Sequence, residues 1–379
     1  MECFVISESL SGSETTGALK AEYIEGIKAQ IRKSRYKLRE ITENDISDVK
    51  KYFAAEGKRP VVILVGFTVM WIGECVNFLQ SESIHPIVLT SLESRHTKPV
   101  SIVSFDEGEA VFKLCQYFAE NGIHKIAYFG YNPNSFSHGV QYTSFKNSKT
   151  LFNIQDIHPY YDCYSDYGNI EKCANVFFDY YSDYEAVICS TPDRAIKLLH
   201  DIKKRGIAPD ALKVASVGWS SLNEMVSPSL TGYKFDAAAC GRKAVKIYKL
   251  LVNNPEISSL KASISGTLLI GGSTDFMPFG NEYSVPYLGN RFISVHPTYI
   301  TSGDSEIDMI NNIENLINRS DKIDREYINL LLAGADTSGF AEKHFISENT
   351  LNYRIKNMCK TLGVATRKDL YDMLTTWLA

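Results

Sequence analysis

Forty basic against forty-four acidic residues give this 379-residue chain a net charge of −4, with 44% hydrophobic and 22% charged residues. Such a length holds two or three domains with cores of their own, and such a balance excludes a disordered or fibrous chain and one that is basic throughout. No apolar run approaches the roughly twenty residues that span a bilayer, and Met1–Glu8 enters a strand pattern rather than a signal peptide, so a cytoplasmic protein with no membrane partner is expected.

Two-thirds of the chain alternates strand and helix patterns. Cys3–Ser7 reads as a strand, Ala18–Ile31 as a helix and Tyr36–Ile41 as a second strand. Val61–Phe67 is a continuous apolar run of the kind that lies buried on both faces of a parallel sheet. Helix Trp71–Gln80, strand Pro86–Leu89, strand Val100–Ser104, helix Glu107–Asn121 and strand Lys125–Gly130 follow. Next come helix Val140–Thr150, strand Tyr160–Tyr164, helix Asn169–Tyr181, strand Ala186–Cys189 and helix Asp193–Lys204. Lys213–Gly218 and Leu230–Phe235 are strands, Ala237–Asn253 is a helix, and Leu268–Ile270 ends the series. Repeated alternation of this kind predicts parallel sheets flanked by helices, and some 270 residues of it predict two lobes.

Gly271–Ser305 loses all period and reads as an irregular connector. Glu306–Asn318 regains one through Ile307, Ile310, Ile313, Leu316 and Ile317, the pattern of a linker helix or a dimer seam. Tyr327–Leu332 opens a terminal helical region. Gly334 stops that helix, Phe340–Phe345 forms a short one, and Ser347 is a good N-cap for the next. On this last helix Leu351, Ile355, Met358 and Leu362 form an inner stripe, while Asn352, Tyr353, Arg354, Lys356, Asn357 and Lys360 face outward. Between Ser347 and Lys368 five cations stand against one acid, Glu348, a local excess that steers a DNA backbone while the whole chain stays acidic. An amide, phenol and ammonium face on a helix with a buried stripe suits a DNA major groove.

The terminal residues resemble the LuxR-type helix-turn-helix domain through Gly334, Phe340-Ala341, Ile346-Ser347, Thr350-Leu351, Ile355, Leu362-Gly363-Val364 and Arg367, at that family's spacing. The chain departs from the pattern at Thr361 (usually Lys) and Arg354 (usually His), and Asp324 is the best candidate for the usual opening acidic pair. The resemblance implies that Asn352, Tyr353 and Lys356 face base edges and that Thr350, Arg354, Lys360 and Arg367 hold phosphates. Double-stranded DNA is then the partner, and a homodimer is expected because twofold proteins read half-sites about one helical turn apart.

Three earlier stretches resemble the effector-binding domain of LacI-family regulators, which has the periplasmic-binding-protein fold. They are Val103–Asp106 with Gly122–Gly130, Ala186–Gly206 with Pro192-Asp193-Arg194-Ala195, and Val214–Ser220 followed by Pro228–Thr231 and Gly241. The resemblance implies a sensor over 1–275, its first lobe near 1–122 and 236–262 and its second near 123–235 and 263–275. A linker over 276–319 and the helix-turn-helix over 320–379 complete the expected organisation. Crossings are expected near Gly122–Lys125, Tyr233–Asp236 and Ala262–Gly266. Asp106, Gln141, Asp193, Trp219 and Ser220 map onto the effector pocket, with Trp71, Phe136 and Tyr131 as further aromatic groups. A small effector, sugar-like or of another kind, is expected; Gln141 replaces the family's usual Arg and Ser220 its usual Asp, which departs from ordinary monosaccharide or purine recognition.

No catalytic motif is present, the eight histidines are dispersed, and the Asp106-Glu107 pair reads as helix-start capping, so no enzyme, cofactor or metal is expected. The eight cysteines lack metal or redox spacing and read as reduced core thiols. The remaining reading is a cytosolic sensor or assembly protein whose helical tail docks on another protein.

Overall fold

The computed structural model describes residues 2–8, 14–42, 60–90, 99–133, 135–155, 159–161, 170–275 and 305–379. In chain order the first lobe's strands are β1 (Glu2–Ser7), β2 (Lys37–Thr42), β3 (Val61–Val65), β4 (His85–Leu89) and β5 (Ser101–Phe105). The second sheet takes β6 (Ile126–Tyr131), β7 (Pro159–Tyr161), β8 (Ala186–Cys189), β9 (Lys213–Ser216) and β10 (Thr231–Lys234). Then β11 (Lys261–Ile264) joins the first sheet and β12 (Thr267–Leu269) the second. The flanking helices are α1 (Glu14–Ile31), α2 (Val69–Ser81), α3 (Glu107–Glu120), α4 (Phe136–Phe152), α5 (Ile170–Tyr180), α6 (Pro192–Lys204) and α7 (Ala237–Asn253). The carboxyl-terminal helices are α8 (Ser305–Arg319), α9 (Lys322–Leu332), α10 (Phe340–Lys343), α11 (Glu348–Leu362) and α12 (Arg367–Leu378).

The first sheet runs β11-β5-β4-β3-β1-β2 and the second β12-β10-β9-β8-β6-β7. Pairing is parallel, with Ile63 opposite Ile87 in the first and Ile188 opposite Ala215 in the second. Every residue of β3 and of β8 is buried, because helices cover both faces of a parallel sheet. This is the two-lobed, parallel-sheet α/β architecture that the alternating pattern predicts, with a helical region after it.

Two compact units divide the chain. One comprises Met1–Ala110, Pro133–Thr143 and Lys234–Thr267; the other comprises Val111–Asn132, Ser144–Tyr233 and Leu268–Ala379. In the first, α1 and α7 cross at glycines. A Cβ on Gly26 would lie 2.0 Å from the Ala238 carbonyl oxygen, and one on Gly241 would lie 2.2 Å from that of Tyr23. Only glycine permits that approach. In the second unit a single apolar cluster runs from Val187 and Ile196 through Ile310 and Ile313 to Leu351, Ile355 and Leu374. The Ile307–Ile317 stripe of α8 is therefore spent inside its own chain, against α6 and α11.

Several boundaries differ from expectation. β10 is shorter than Leu230–Phe235; at its start the Leu230 N–H donates to the Asn223 carbonyl (2.7 Å) rather than to the ladder. The α10 helix ends at Lys343, since Phe345 takes a left-handed backbone with φ 53°. Expected strand residues 162–164, Cys163, and 276–304 of the connector lie outside the described residues. The connector's start is ordered by Ser273, whose hydroxyl donates to the Val214 carbonyl (2.6 Å) and accepts from Thr231 N–H (2.9 Å). The seven described cysteines are buried and free. Among the described residues no helix is long and apolar enough to cross a membrane, and no three His, Cys, Asp or Glu side chains are grouped to hold a metal ion.

Candidate nucleic-acid interface and effector site

The terminal helices are set by their caps. Asp321 accepts from the N–H groups of Ile323 (2.9 Å) and Asp324 (3.0 Å) to start α9. Ser347 accepts from Thr350 N–H (3.1 Å) to start α11, and Gly363, with φ 69°, ends it. Thr366 and Asp369 cap α12 reciprocally, a helix for which the sequence carries no separate expectation. These stops leave α10 and α11 joined by the short His344–Ser347 connection.

The helical period then divides α11 into two faces. Leu351, Ile355, Met358, Cys359 and Leu362 are buried. Asn352, Tyr353, Lys356, Asn357 and Lys360 are exposed, Tyr353 to 67%. Three expected phosphate-holding residues are already engaged within the chain. Arg354 is half-buried and donates to Asp321 (2.8 Å) and Asp324 (2.9 Å), which raise its pKa further. Thr350 shares its hydroxyl with Ser347 at 2.8 Å. Arg367 donates to Thr337 and lies 5.4 Å from the Tyr327 ring centroid. Lys360 remains on the outer face with Asn352, Tyr353 and Lys356. A groove of about 710 Å³ runs beside this face, between Tyr353, Asn357 and Lys360 on α11 and Arg319 at the end of α8.

Below this module α6 makes the decisive contacts. Lys197, 3% exposed, pairs with Asp201 (3.2 Å) and with Glu306 of α8. Ser221, just past Ser220, donates to Asn318 of α8 at 2.9 Å. At the far end of α6 the Lys203 ammonium donates to the Ala379 carbonyl (2.6 Å), and His200 stacks on Trp377 at 4.2 Å between centroids. At separations of 97 residues and more, the contacts with the carboxyl-terminal residues carried no sequence signal.

The expected effector residues fall in both units. In the second, Asp193, Trp219 and Ser220 follow the carboxyl ends of adjacent parallel strands β8 and β9, where ligands of such sheets bind. Asp193 is 5% exposed, yet neither carboxylate oxygen has a hydrogen bond; Arg194 Nη1 stands 3.8 Å from Oδ2. The buried Trp219 indole N–H also lacks a partner. Ser220 is committed to capping the 3-10 turn Ser221–Glu224 with Asn223. In the first unit Asp106 caps α3 by accepting from Glu109 N–H (2.9 Å). Glu107 does not cap: it is buried and accepts from the fully buried Gln141 amide at 2.6 Å, which corrects the reading of Asp106-Glu107 as a capping pair.

Burial pushes the Glu107 carboxyl up to about 7, against the opposing pull of the Gln141 hydrogen bond. A carboxyl raised on folding contributes stability below its unfolded value, about 4.3, and that contribution is lost as pH rises through the folded value. Glu107→Gln keeps an acceptor for Gln141 without the charge. The variant is expected to lose this part of the pH dependence and to exceed the parent's unfolding free energy at about pH 8 by roughly 2–3 kcal/mol. Urea melts across that range check it; parallel pH profiles for the two proteins refute it.

These features define a two-lobed α/β protein of the periplasmic-binding-protein type. Residues 115–274 match the model of the periplasmic binding protein-like domain. Solved structures with this fold include the transcriptional regulator CelR in complex with cellobiose, at 13% identity and TM-score 0.53, covering 72% of this chain and 84% of that one. The transcription regulator CcpA of Lactococcus lactis matches at 14% identity and TM-score 0.53, over 73% of this chain and 100% of that one. A transcription regulator from Lactobacillus plantarum matches at 16% and 0.51, over 72% and 99%. No curated protein matches the chain.

Proposed function

We propose that this chain is a ligand-responsive transcriptional regulator, not an enzyme, in which the α/β sensor controls a LuxR-type helix-turn-helix that reads double-stranded DNA. The observation that carries the reading is α11: its apolar stripe is buried while Asn352, Tyr353, Lys356 and Lys360 stand together on the exposed side. Asn pairs bidentately with adenine and Lys donates to guanine. Lys360 holds phosphate. Arg354 and Arg367 join it when DNA draws them from Asp321, Asp324 and Thr337, and Thr350 adds its hydroxyl at the groove edge. The protein acts as a homodimer in the cytoplasm. Its small effector binds in the second unit at Asp193 and Trp219, beside the turn that Ser220 caps. Regulators of similar fold, one of them bound to cellobiose, support the sensor half of the reading.

The test is selection of duplexes from a random-sequence pool by the full chain, followed by titration at several salt concentrations. Asn352→Ala is expected to relax selection at one base position and to cost roughly 1–3 kcal/mol there. Lys356→Ala is expected to alter selection similarly. Unchanged site preference in both variants refutes the assigned face, and binding indifferent to bulk duplex DNA assigns the tail to a protein partner instead.

A further inference from the structure

Phe345 lies in the connection between α10 and α11 and is 97% exposed, with φ 53°. Its N–H donates to the Glu342 carbonyl (3.1 Å) and the next residue's to that of Ala341 (3.0 Å), so the turn itself demands the left-handed conformation. A bulky side chain is costly there, and glycine is the residue that avoids the cost. Among the described residues the other non-glycine positions with positive φ are Ser83 and Asn153, both small and polar. A single exposed aromatic needs no explanation; one kept where its own Cβ strains the backbone does.

The surroundings name the occupant. Ser347, Glu348 and Asn349 beside it are exposed and polar, and Asn352 and Lys356 follow along α11. An isolated ring in a polar rim does not fit an apolar protein groove, whose partner surface would carry a cluster of such side chains. It does fit the wall of a DNA groove, where polar base edges and phosphates are interrupted by thymine methyls and deoxyribose carbons. The ring also stands at the amino end of α11, the end of a reading helix that contacts base edges.

Resting on the DNA-reading role proposed for α11, we infer that Phe345 is an additional DNA contact, packing its ring on apolar carbon of the major-groove wall. The strain of the turn is retained because the ring is used.

Phe345→Gly separates this from a structural role, since the two predict opposite signs. Glycine relieves the backbone, so the urea midpoint of the full chain is expected to hold or rise. Affinity for the selected duplex is expected to fall on the order of tenfold, with an unchanged salt slope because no phosphate contact is lost. Phe345→Asn, which tolerates the same backbone, is expected to lose affinity alike. Deoxyuridine in place of thymidine identifies the carbon: a loss in the parent that is absent in Phe345→Gly assigns the thymine methyl, and no loss in either assigns deoxyribose. Parent-like affinity in both variants, while Asn352→Ala loses selection, overturns the inference and leaves the DNA-reading role standing. A shift in sedimentation rather than in affinity also overturns it, by making a second copy the occupant. If Asn352→Ala and Lys356→Ala leave selection unchanged, the assigned reading face fails, and if binding is indifferent to bulk duplex DNA, the DNA-reading role itself fails.

Discussion

Replacing Lys197 with methionine is expected to destabilise the second unit by roughly 2–4 kcal/mol, toward the lower end of what breaking a buried ion pair costs. The ammonium is 3% exposed and is shared between Asp201, 12% exposed, and Glu306, 36% exposed. Without it Asp201 keeps its charge with little water, whereas Glu306 recovers hydration at the rim of α8. Adding Asp201→Asn to Lys197→Met should restore part of the loss, because the stranded charge rather than the missing bond dominates the cost. Burial raises the Glu306 carboxyl, but the Lys197 hydrogen bond and charge outweigh it and hold the group below its ordinary value. A depressed carboxyl contributes stability above its unfolded value, about 4.3, and loses that contribution as pH falls through the folded one. The parent should therefore show an acid limb that Lys197→Met lacks. Equal denaturation midpoints in parent and variant would show that α6 and α8 hold together without this triad.

Asp193→Asn should move stability and response in opposite directions. The carboxylate is buried with neither oxygen hydrogen-bonded, a state that costs free energy unless a ligand supplies the donors. The isosteric amide carries no charge, and Arg194, which loses a counter-charge 3.8 Å away, keeps its hydrogen bond to Thr191 (2.8 Å), so the ligand-free variant is expected to gain at most about 1 kcal/mol. The same change replaces one of the two acceptor oxygens by an amide donor and removes the charge that a bound hydroxyl or ammonium would use. A compound from a sugar and nucleoside panel that raises the melting temperature of the parent by mass action should leave the variant unmoved. Equal shifts in both proteins would remove Asp193 from the proposed effector site. A variant less stable than the parent would show that the carboxylate already has its partners.

The alternating sheet and helix pattern was legible because buried parallel strands are uninterrupted aliphatic runs; Ala186–Cys189 and Ala237–Asn253 emerge with the bounds read from the sequence. The two faces of α11 were legible for a similar reason: a 3.6 period with Leu351, Ile355, Met358 and Leu362 on one side admits a single orientation. What local pattern does not carry is long-range pairing. Nothing in the residues around Arg354 announces Asp321 and Asp324, about thirty positions away. Glu107 looked like a cap because acids favour helix starts, and only its burial against Gln141 distinguishes it from Asp106. The stripe on α8 was open to a linker helix or a dimer seam until the α6 residues that cover it were placed beside it. Positive φ at Phe345 was invisible for the opposite reason: phenylalanine is the wrong residue for that backbone, so propensity argued against the turn.

The apolar cluster that joins Ile196 and Ile202 to Ile307 and Ile313, and onward to Leu374, has a practical consequence. The carboxyl-terminal helices are not a detachable cassette. A fragment starting at Ser305 would carry the bared isoleucines of α8 into water, and an α/β part truncated there would expose the α6 side that met them. Both halves are therefore expected to aggregate when expressed apart, and the intact second unit should melt in one transition. Transplanting these terminal helices onto another α/β unit would require bringing α6 along, since the socket and the plug are built from the same hydrocarbon.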